Sequence, residues 1–316
     1  MSLVEHDSVW PDLPLEAWRD TLATLHLWTQ IVGKVRLAQT PWLNHSWHVT
    51  LYVSARGLTT GPIPLDARAL QIDFDFIDHV LWLRRSDGHF RQVMLRPVSV
   101  ARFYADVMAD LRVLGVGVRI NKMPNEIADA VPFPDDLAHK SYDPDYANRF
   151  WRVLVASHDV FAHFRTAFLG KASPVHFFWG SFDLAVTRFS GRIAPPHPGG
   201  VPNLPDDVAR EAYSHEVSSA GFWPGGGAID EPAYYSYAYP APEGFAAAKV
   251  KPAEAVFSKD LGEFLLPYDA VRTAAKPDDV LMDFLQSTYA AAADLAKWNR
   301  VALECTVGEP GKVRAV

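Results

Sequence analysis

The sequence has few of the features that several classes of protein require. Its 316 residues include one cysteine, Cys305, which excludes a disulfide framework and a multi-cysteine metal site and fits a reducing, cytoplasmic compartment. It has no run of basic residues, and 37 Asp and Glu outnumber 30 Lys and Arg, for a net charge of −7. Proteins that bind nucleic acid usually carry clustered positive charge, so we expect no nucleic-acid partner.

Long apolar runs are also missing. A membrane span needs about 20 mostly apolar residues in a row, whereas the least charged stretch, residues 172–182, is short and contains His176. The first residues are acidic where a secretory signal would be basic and then apolar. We therefore expect no membrane partner. A composition of 49% hydrophobic and 21% charged residues is typical of a globular protein.

The common catalytic and cofactor motifs are missing as well. There is no G-x-x-x-x-G-K-[ST] phosphate loop, no G-x-G-x-x-G turn, no H-E-x-x-H helix and no G-x-S-x-G nucleophile turn. No helix start follows Gly225-Gly226-Gly227, so this segment is predicted to be a flexible loop. The sequence therefore predicts no cofactor, and it leaves the metal content and the oligomeric state open.

The periodicity of the apolar residues predicts an α+β fold. Residues 72–76 alternate as in a strand with one buried face, and residues 80–95 have the pattern of a hairpin around Asp87-Gly88. Strands joined by a hairpin are antiparallel, which favours α+β over a doubly wound sheet. Helices are predicted over residues 15–38, 100–114 and 142–170 and from Pro277 onward. Further strands are predicted over residues 47–56, 116–120, 175–189, 211–223 and 234–239.

Matching landmarks predict that the chain contains two pseudo-repeats of helix, antiparallel strands and helix, packed as one compact unit. Each repeat carries a helical tryptophan, a second tryptophan 28 or 29 residues later, and an arginine nine residues after that. The pairs are Trp18 and Trp151, Trp47 and Trp179, and Arg56 and Arg188. The first repeat spans residues 10–135 and the second spans residues 136–304, with flexible tails at residues 1–9 and 305–316.

Charged side chains within the apolar segment 175–189 point to a site. In one continuous strand, Asp183 and Arg188 would lie on opposite faces, and His176 would share the face of Arg188. Since an unpaired buried charge is costly, each needs a partner from elsewhere in the fold.

The preferred functional hypothesis is small-molecule binding in a cleft between the two halves. Arg56 and Arg188 would hold an anionic or polar ligand there, because guanidinium groups suit carboxylates and phosphates. Trp179, Trp223 and Tyr237 would line the cleft. The alternative is that each arginine pairs with a neighbouring carboxylate, which is the more common arrangement.

Two other classes of function stay open. His176, Asp183, His215 and Glu216 could form the centre of a hydrolase or of a metal-assisted enzyme, with His215 and Asp183 as a general-base pair. The chain could instead be a protein-interaction module that uses the loop from Pro195 and the Gly225–Gly227 loop. The sequence does not decide between an enzyme and a binding protein.

Two long segments resemble an uncharacterised bacterial family, the domain of unknown function numbered five-nine-nine-six. They are HFFWGSFDLAVTRFSG at residues 176–191 and SHEVSSAGFWPG at residues 214–225. Shorter similar segments lie at residues 10–15, 52–60, 72–79 and 262–267. The resemblance covers residues 10–304 and implies a bacterial, cytoplasmic protein of a single family. It implies no activity, ligand or catalytic residue.

Overall fold

The computed structural model describes residues 8–227 and 229–314. The helices are α1 (Leu15–Gln39), α2 (Val100–Val113), α3 (Pro144–Thr166), α4 (Asp206–Ala212), α5 (Tyr268–Arg272), α6 (Pro277–Leu295) and α7 (Arg300–Leu303). The strands are β1 (Tyr52–Ser54), β2 (Gly57–Thr59), β3 (Ile63–Leu65), β4 (Arg68–Asp75), β5 (Val80–Arg85), β6 (Phe90–Met94), β7 (His176–Phe178), β8 (Asp183–Ile193), β9 (His215–Trp223), β10 (Ala233–Tyr239), β11 (Val256–Ser258) and β12 (Glu263–Pro267). All four helices predicted from periodicity are present, as α1, α2, α3 and α6.

The strands form two antiparallel sheets, which confirms the α+β class. The first sheet has the order β1-β2-β4-β5-β6, with β3 beside β4. The second sheet has the order β11-β12-β10-β9-β8-β7. The predicted hairpin is the pair β5 and β6.

Helices and a main-chain bridge join the two halves of the chain. Trp28 of α1 stacks on Phe103 of α2 at 4.5 Å between ring centroids, and Trp18 of α1 packs on Phe150 of α3 at 5.3 Å. Leu51 and Phe177 exchange two backbone hydrogen bonds of 2.9 and 2.8 Å. The segment before β1 is thereby tied to β7, the edge strand of the second sheet.

Four predicted strands differ from the structure. Of residues 47–56, only Tyr52–Ser54 form a strand, because residues 47–49 and 55–56 are turns. Residues 116–120 form no strand, because Val116 and Val118 are buried against the core without a partner strand. Residues 211–223 begin as the end of α4 and become β9 only at His215. Residues 175–189 form two strands, β7 and β8, because the chain reverses between them.

The landmark arginines of the two halves lie in different secondary-structure elements. Arg56 lies in the turn between β1 and β2, whereas Arg188 lies within β8. The internal duplication and its boundaries stay a prediction.

The two terminal segments predicted to be flexible have different outcomes. Residues 1–7 of the N-terminal one lie outside the described residues. In the C-terminal one, Cys305 N–H donates to Ala167 O at 3.2 Å and Gly308 N–H donates to the Thr166 hydroxyl at 3.0 Å. Residues 305–308 therefore contact the C-terminal end of α3. Within the described part of the chain, the helices are too short or too polar to cross a membrane.

The first prediction concerns the start of α2. Ser99 is the N-cap of this helix, and its hydroxyl accepts the backbone N–H of Arg102 at 3.2 Å. Ser99→Ala leaves this N–H group without a partner and should lower the free energy of unfolding by about 1 kcal/mol. Ser99→Asp keeps an acceptor and should be close to wild type in urea denaturation. Equal losses in both variants would contradict the capping role.

Candidate functional site

A cavity of about 860 Å³ lies on one face of the second sheet. Five strands contribute to this wall: His176, Phe178, Asp183, Ala185, Thr187, Phe189, Val217, Ser219, Trp223, Tyr235, Tyr237 and Glu263. The facing walls come from α1, from α4 and from three loops: Lys34, Leu37, Trp42, His45, Ser46, Trp47, Val49, Asn121, Asn125, Glu126, Val201, Asn203, Leu204, Pro205, Val208, Ala209, Ala212 and Tyr213. The cavity therefore lies between residues of the first half and residues of the second.

The turn between β7 and β8 puts His176 and Asp183 on the same face. His176 pairs with Ala185, and Phe178 pairs with Asp183. Directly paired residues of antiparallel strands point to the same side of a sheet, so both strands contribute to the cavity. The expectation that His176 shares the face of Arg188 is wrong for this reason. Asp183 and Arg188 do lie on opposite faces of β8.

Gly221 of β9 allows a side chain to cross the sheet. It lies between Ala185 of β8 and Tyr235 of β10. A Cβ atom at Gly221 would lie 2.4 Å from the Tyr235 Oη and Cζ atoms. Without that atom, the Tyr235 ring passes over β9 and its hydroxyl donates to Asp183 Oδ2.

Asp183 is the most buried acid of the site. Its Oδ1 accepts the Ser181 hydroxyl at 2.5 Å, and its Oδ2 accepts the Tyr235 hydroxyl. Burial raises the pKa of Asp183, although these two hydrogen bonds oppose the rise. No Lys or Arg of the described residues forms an ion pair with it.

Glu126 and Glu263 are two further acids of the cavity. Burial, followed by the charge of Asp183, raises the pKa of each carboxyl to about 7. Within residues 8–227 and 229–314, neither side chain has a hydrogen bond or an ion pair. The Glu126 carboxyl lies against Gly180, where a Cβ atom would be 2.0 Å from its Oε1.

Aromatic side chains surround the acids. Trp223 donates from Nε1 to Ser181 O at 2.9 Å and packs edge-on to Tyr235, with 5.8 Å between ring centroids. The Tyr213 and Tyr237 hydroxyls are 2.8 Å apart. The acids therefore lie next to a wall of rings and hydroxyl groups.

Asparagines hold the loops that cover the cavity. Asn125 donates from its N–H to Gln30 Oε1 at 2.8 Å and from Nδ2 to Asn203 O at 2.6 Å. Asn203 Nδ2 donates to Ile127 O at 2.8 Å. The two loops are thus fixed to each other and to α1.

Four residues of the covering walls have a strained backbone. His45, Ser46, Glu126 and Asn203 have positive φ angles of 57°, 57°, 63° and 54°. Such angles are unfavourable for residues with a side chain and concentrate at functional sites. Their position around one cavity supports a role for it.

Lys34 and His176 are buried polar groups without full hydrogen bonding. Lys34 is 3% exposed; it donates to Asn125 Oδ1, and burial lowers its pKa to about 8. His176 is fully buried, and neither ring nitrogen has a hydrogen-bond partner. Burial, with smaller effects of Arg165 and Arg36, lowers the pKa of His176 to about 3, so the ring is neutral at physiological pH.

Five of the nine residues predicted from the sequence line the cavity: His176, Trp179, Asp183, Trp223 and Tyr237. The other four, Arg56, Arg188, His215 and Glu216, lie outside it.

The arginines Arg56 and Arg188 do not form a clamp. Arg56 pairs with Asp75 at 2.5 Å and with Asp78 at 2.7 Å. Arg188 lies on the other face of the second sheet, where its guanidinium is 3.5 Å from the centre of the Phe164 ring. Neither side chain lines the cavity, so the expectation of two guanidinium groups around one ligand is wrong.

His215 and Glu216 also lie outside the cavity. His215 pairs with Ile193, whereas Leu184, next to Asp183, pairs with Phe222. The seven steps from His215 to Phe222 span about 23 Å along a strand, so His215 cannot act as a base together with Asp183. Glu216 forms an ion pair with Arg192 at 2.6 Å.

No arrangement of three or more His, Cys, Asp or Glu side chains suitable for a metal ion occurs among residues 8–227 and 229–314. His176, His215 and Glu216 are not brought together, so these three side chains do not form the site of a metal-assisted enzyme.

Sequence reasoning missed Glu126, Glu263 and Lys34. Glu263 could have been found, because it begins the short apolar run Glu-Phe-Leu-Leu as Asp183 begins its own. Glu126 lies in a loop without periodicity. Lys34 lies in the apolar part of a helix, where its burial depends on packing against the loop at Asn125.

The chain belongs to a family of unknown function, DUF5996, which it matches over residues 10–305. The resemblance predicted from its sequence segments is thereby confirmed. Searches of curated proteins and of solved structures found no match.

The second prediction concerns Gly221. The Cβ atom of Gly221→Ala would also lie 2.4 Å from Leu184 O, so the variant should lose about 1–3 kcal/mol in free energy of unfolding. Urea denaturation measures this. Gly117→Ala is the control, since nothing lies within 4 Å of its Cβ position, and it should change stability by less than about 0.5 kcal/mol. A Gly221→Ala variant as stable as the control would contradict the close packing of Tyr235.

The third prediction concerns pH. The folded pKa of Glu263 is about 7 and its ordinary value is 4.5, so the folded state holds this proton more tightly. The stability contributed by the neutral carboxyl is complete below pH 4.5 and is lost as the pH rises through 7. Glu263→Gln should remove this loss, which is at most about 3 kcal/mol.

The measurement is the free energy of unfolding of wild type and variant at pH 5 and pH 8. Glu254→Gln, at an exposed glutamate, is the control with the same change in charge. If wild type and Glu263→Gln respond equally to pH, the carboxyl of Glu263 is not perturbed by burial.

Proposed function

We propose that this protein binds a small organic molecule in the cavity between its two halves. The observation that carries the proposal is the cavity of about 860 Å³, because small-molecule sites occupy about 300–1,000 Å³. Its walls combine aromatic rings with a few polar groups, which is the usual composition of such sites.

A buried polar side chain with missing partners supports the proposal. His176 is fully buried, and neither of its ring nitrogens has a hydrogen bond. Leaving such a group unpaired costs free energy. A ligand with matching donors and acceptors would offset this cost in the bound state.

Binding fits the geometry better than the hydrolase hypothesis. That hypothesis needs His215 and Glu216 next to His176 and Asp183, and the first two lie outside the cavity. The interaction hypothesis has less support, because Leu204 and Pro205 of the proline-rich segment line the cavity and Gly225 lies against Leu15.

The fourth prediction concerns a substitution that fills the cavity. Ala209 of α4 lines the cavity and is 5% exposed. Ala209→Phe should weaken binding of the neutral probe 2-naphthalenemethanol at least about tenfold, which corresponds to about 1.4 kcal/mol. Binding is measured by ligand-detected NMR titration. Ala302→Phe carries the same substitution at an exposed alanine and should bind as wild type does.

If Ala209→Phe does not fold, Val208→Phe at the half-buried neighbouring position repeats the test. The proposal is wrong if wild type shows no saturable binding at millimolar probe, or if the filled variant binds as tightly as wild type.

A further inference from the structure

The described lining of the cavity contains more carboxyl groups than ammonium or guanidinium groups. The described lining residues include three carboxyl groups, Glu126, Asp183 and Glu263, and one ammonium group, Lys34. None of the three carboxyls forms an ion pair with any described residue. Lys34 hydrogen-bonds to Asn125 instead. Charged groups in a protein interior are normally paired, so this cluster lacks a positive partner.

The three carboxyls belong to one electrostatic group. Asp183 affects both glutamates, since its charge adds to the effect of burial in raising their pKa to about 7. The acids are held in place from different elements: Asp183 by the hydroxyls of Ser181 and Tyr235, and Glu126 by close packing on Gly180. The three acids come from two strands and one loop of the cavity wall.

The rings beside the acids also favour a cation. The faces of Trp and Tyr rings attract ammonium groups within about 6 Å of the ring centre. Tyr235 hydrogen-bonds to Asp183. Trp223 packs on the Tyr235 ring with 5.8 Å between centroids, and the Tyr235 and Tyr237 rings stack with 6.1 Å between centroids. Aromatic faces together with carboxylates are the combination that recognises organic ammonium ions.

His176 gives a second, independent indication of a ligand. It lines the same cavity, it is fully buried, and both of its ring nitrogens lack partners. Being neutral, it can donate one hydrogen bond and accept another, so it suits a polar group elsewhere on the ligand rather than a second charge.

We infer that the cavity binds a small organic cation, attracted by the carboxylates of Asp183, Glu126 and Glu263 and packed against the aromatic rings of the lining. The inference rests on the proposed binding function and specifies the class of its ligand. A metal ion is a different class and does not fit the arrangement of the described side chains.

The test compares three probes of similar size that differ in charge: 2-naphthylmethylammonium, 2-naphthalenemethanol and 2-naphthylacetate. The ammonium probe should bind at least about tenfold more tightly than the alcohol, and the acetate should bind more weakly than both. Glu263→Gln and Glu126→Gln should each remove most of the advantage of the ammonium while the alcohol binds as before. Glu254→Gln, at the surface, should change nothing.

The pH dependence provides a second readout. The other titratable groups of the lining are Lys34 from α1, His45 from the loop after α1, His176 from β7, Tyr213 after α4, and Tyr235 and Tyr237 from β10. Burial raises the pKa of all three tyrosines, so they stay neutral. Burial lowers the pKa of Lys34 and of both histidines, so any positive charge that they lose between pH 6 and pH 8 also favours the ammonium at pH 8. Because the glutamates ionise near pH 7, the ammonium should bind more tightly at pH 8 than at pH 6, whereas binding of the alcohol should not change.

Each result has a definite meaning. Equal affinities for ammonium and alcohol, or tightest binding of the acetate, overturn the inference but leave small-molecule binding intact. Absence of binding for all three probes overturns the proposed function as well. If the protein still prefers the ammonium probe after both glutamine substitutions, the inference is also overturned, because other groups would then recognise the positive charge.

Discussion

The short turn between β7 and β8 is the constraint on which the site depends. Side chains from distant parts of the chain hold its backbone: His26 of α1 contacts Gly180 O at 2.8 Å, and Trp223 of β9 donates to Ser181 O at 2.9 Å. Trp179 in the turn itself donates to Val49 O at 2.8 Å. Because these contacts set where β8 begins, they also set the position of Asp183.

The two faces of the second sheet have different roles, one in packing and one in lining the cavity. The face toward α3 and α6 is mainly apolar and contains Leu184 and Phe222, whereas the opposite face carries Asp183 and Glu263 and borders the cavity. Arg188 is a buried cation on the mainly apolar face. Its contacts with the Phe164 ring and with Phe164 O explain how it is tolerated there, because an aromatic face and a carbonyl oxygen both stabilise a guanidinium.

Buried ionisable groups give the cavity unusual electrostatics. Glu126 and Glu263 have a pKa of about 7, and Lys34 has one of about 8, so all three change charge close to neutral pH. Perturbed groups of this kind concentrate at functional sites. Desolvation is the largest cause in each of the three, which means that the shape of the fold, more than any single neighbour, makes these groups responsive.

The sequence by itself determined the four longest helices, the hairpin of β5 and β6, the family, and the placement of Asp183 and Arg188 on opposite faces of β8. These depend on local spacing, which a single chain segment contains. It also pointed to Trp179, Asp183, Trp223 and Tyr237, because polar and aromatic groups in apolar strands are visible in the pattern. Only the tertiary structure decided that His176 shares their cavity, that Glu126 and Glu263 join them, and that Arg56 and Arg188 do not. Those outcomes depend on where the chain reverses and on which loops cover the sheet, and contacts between residues distant in sequence determine both.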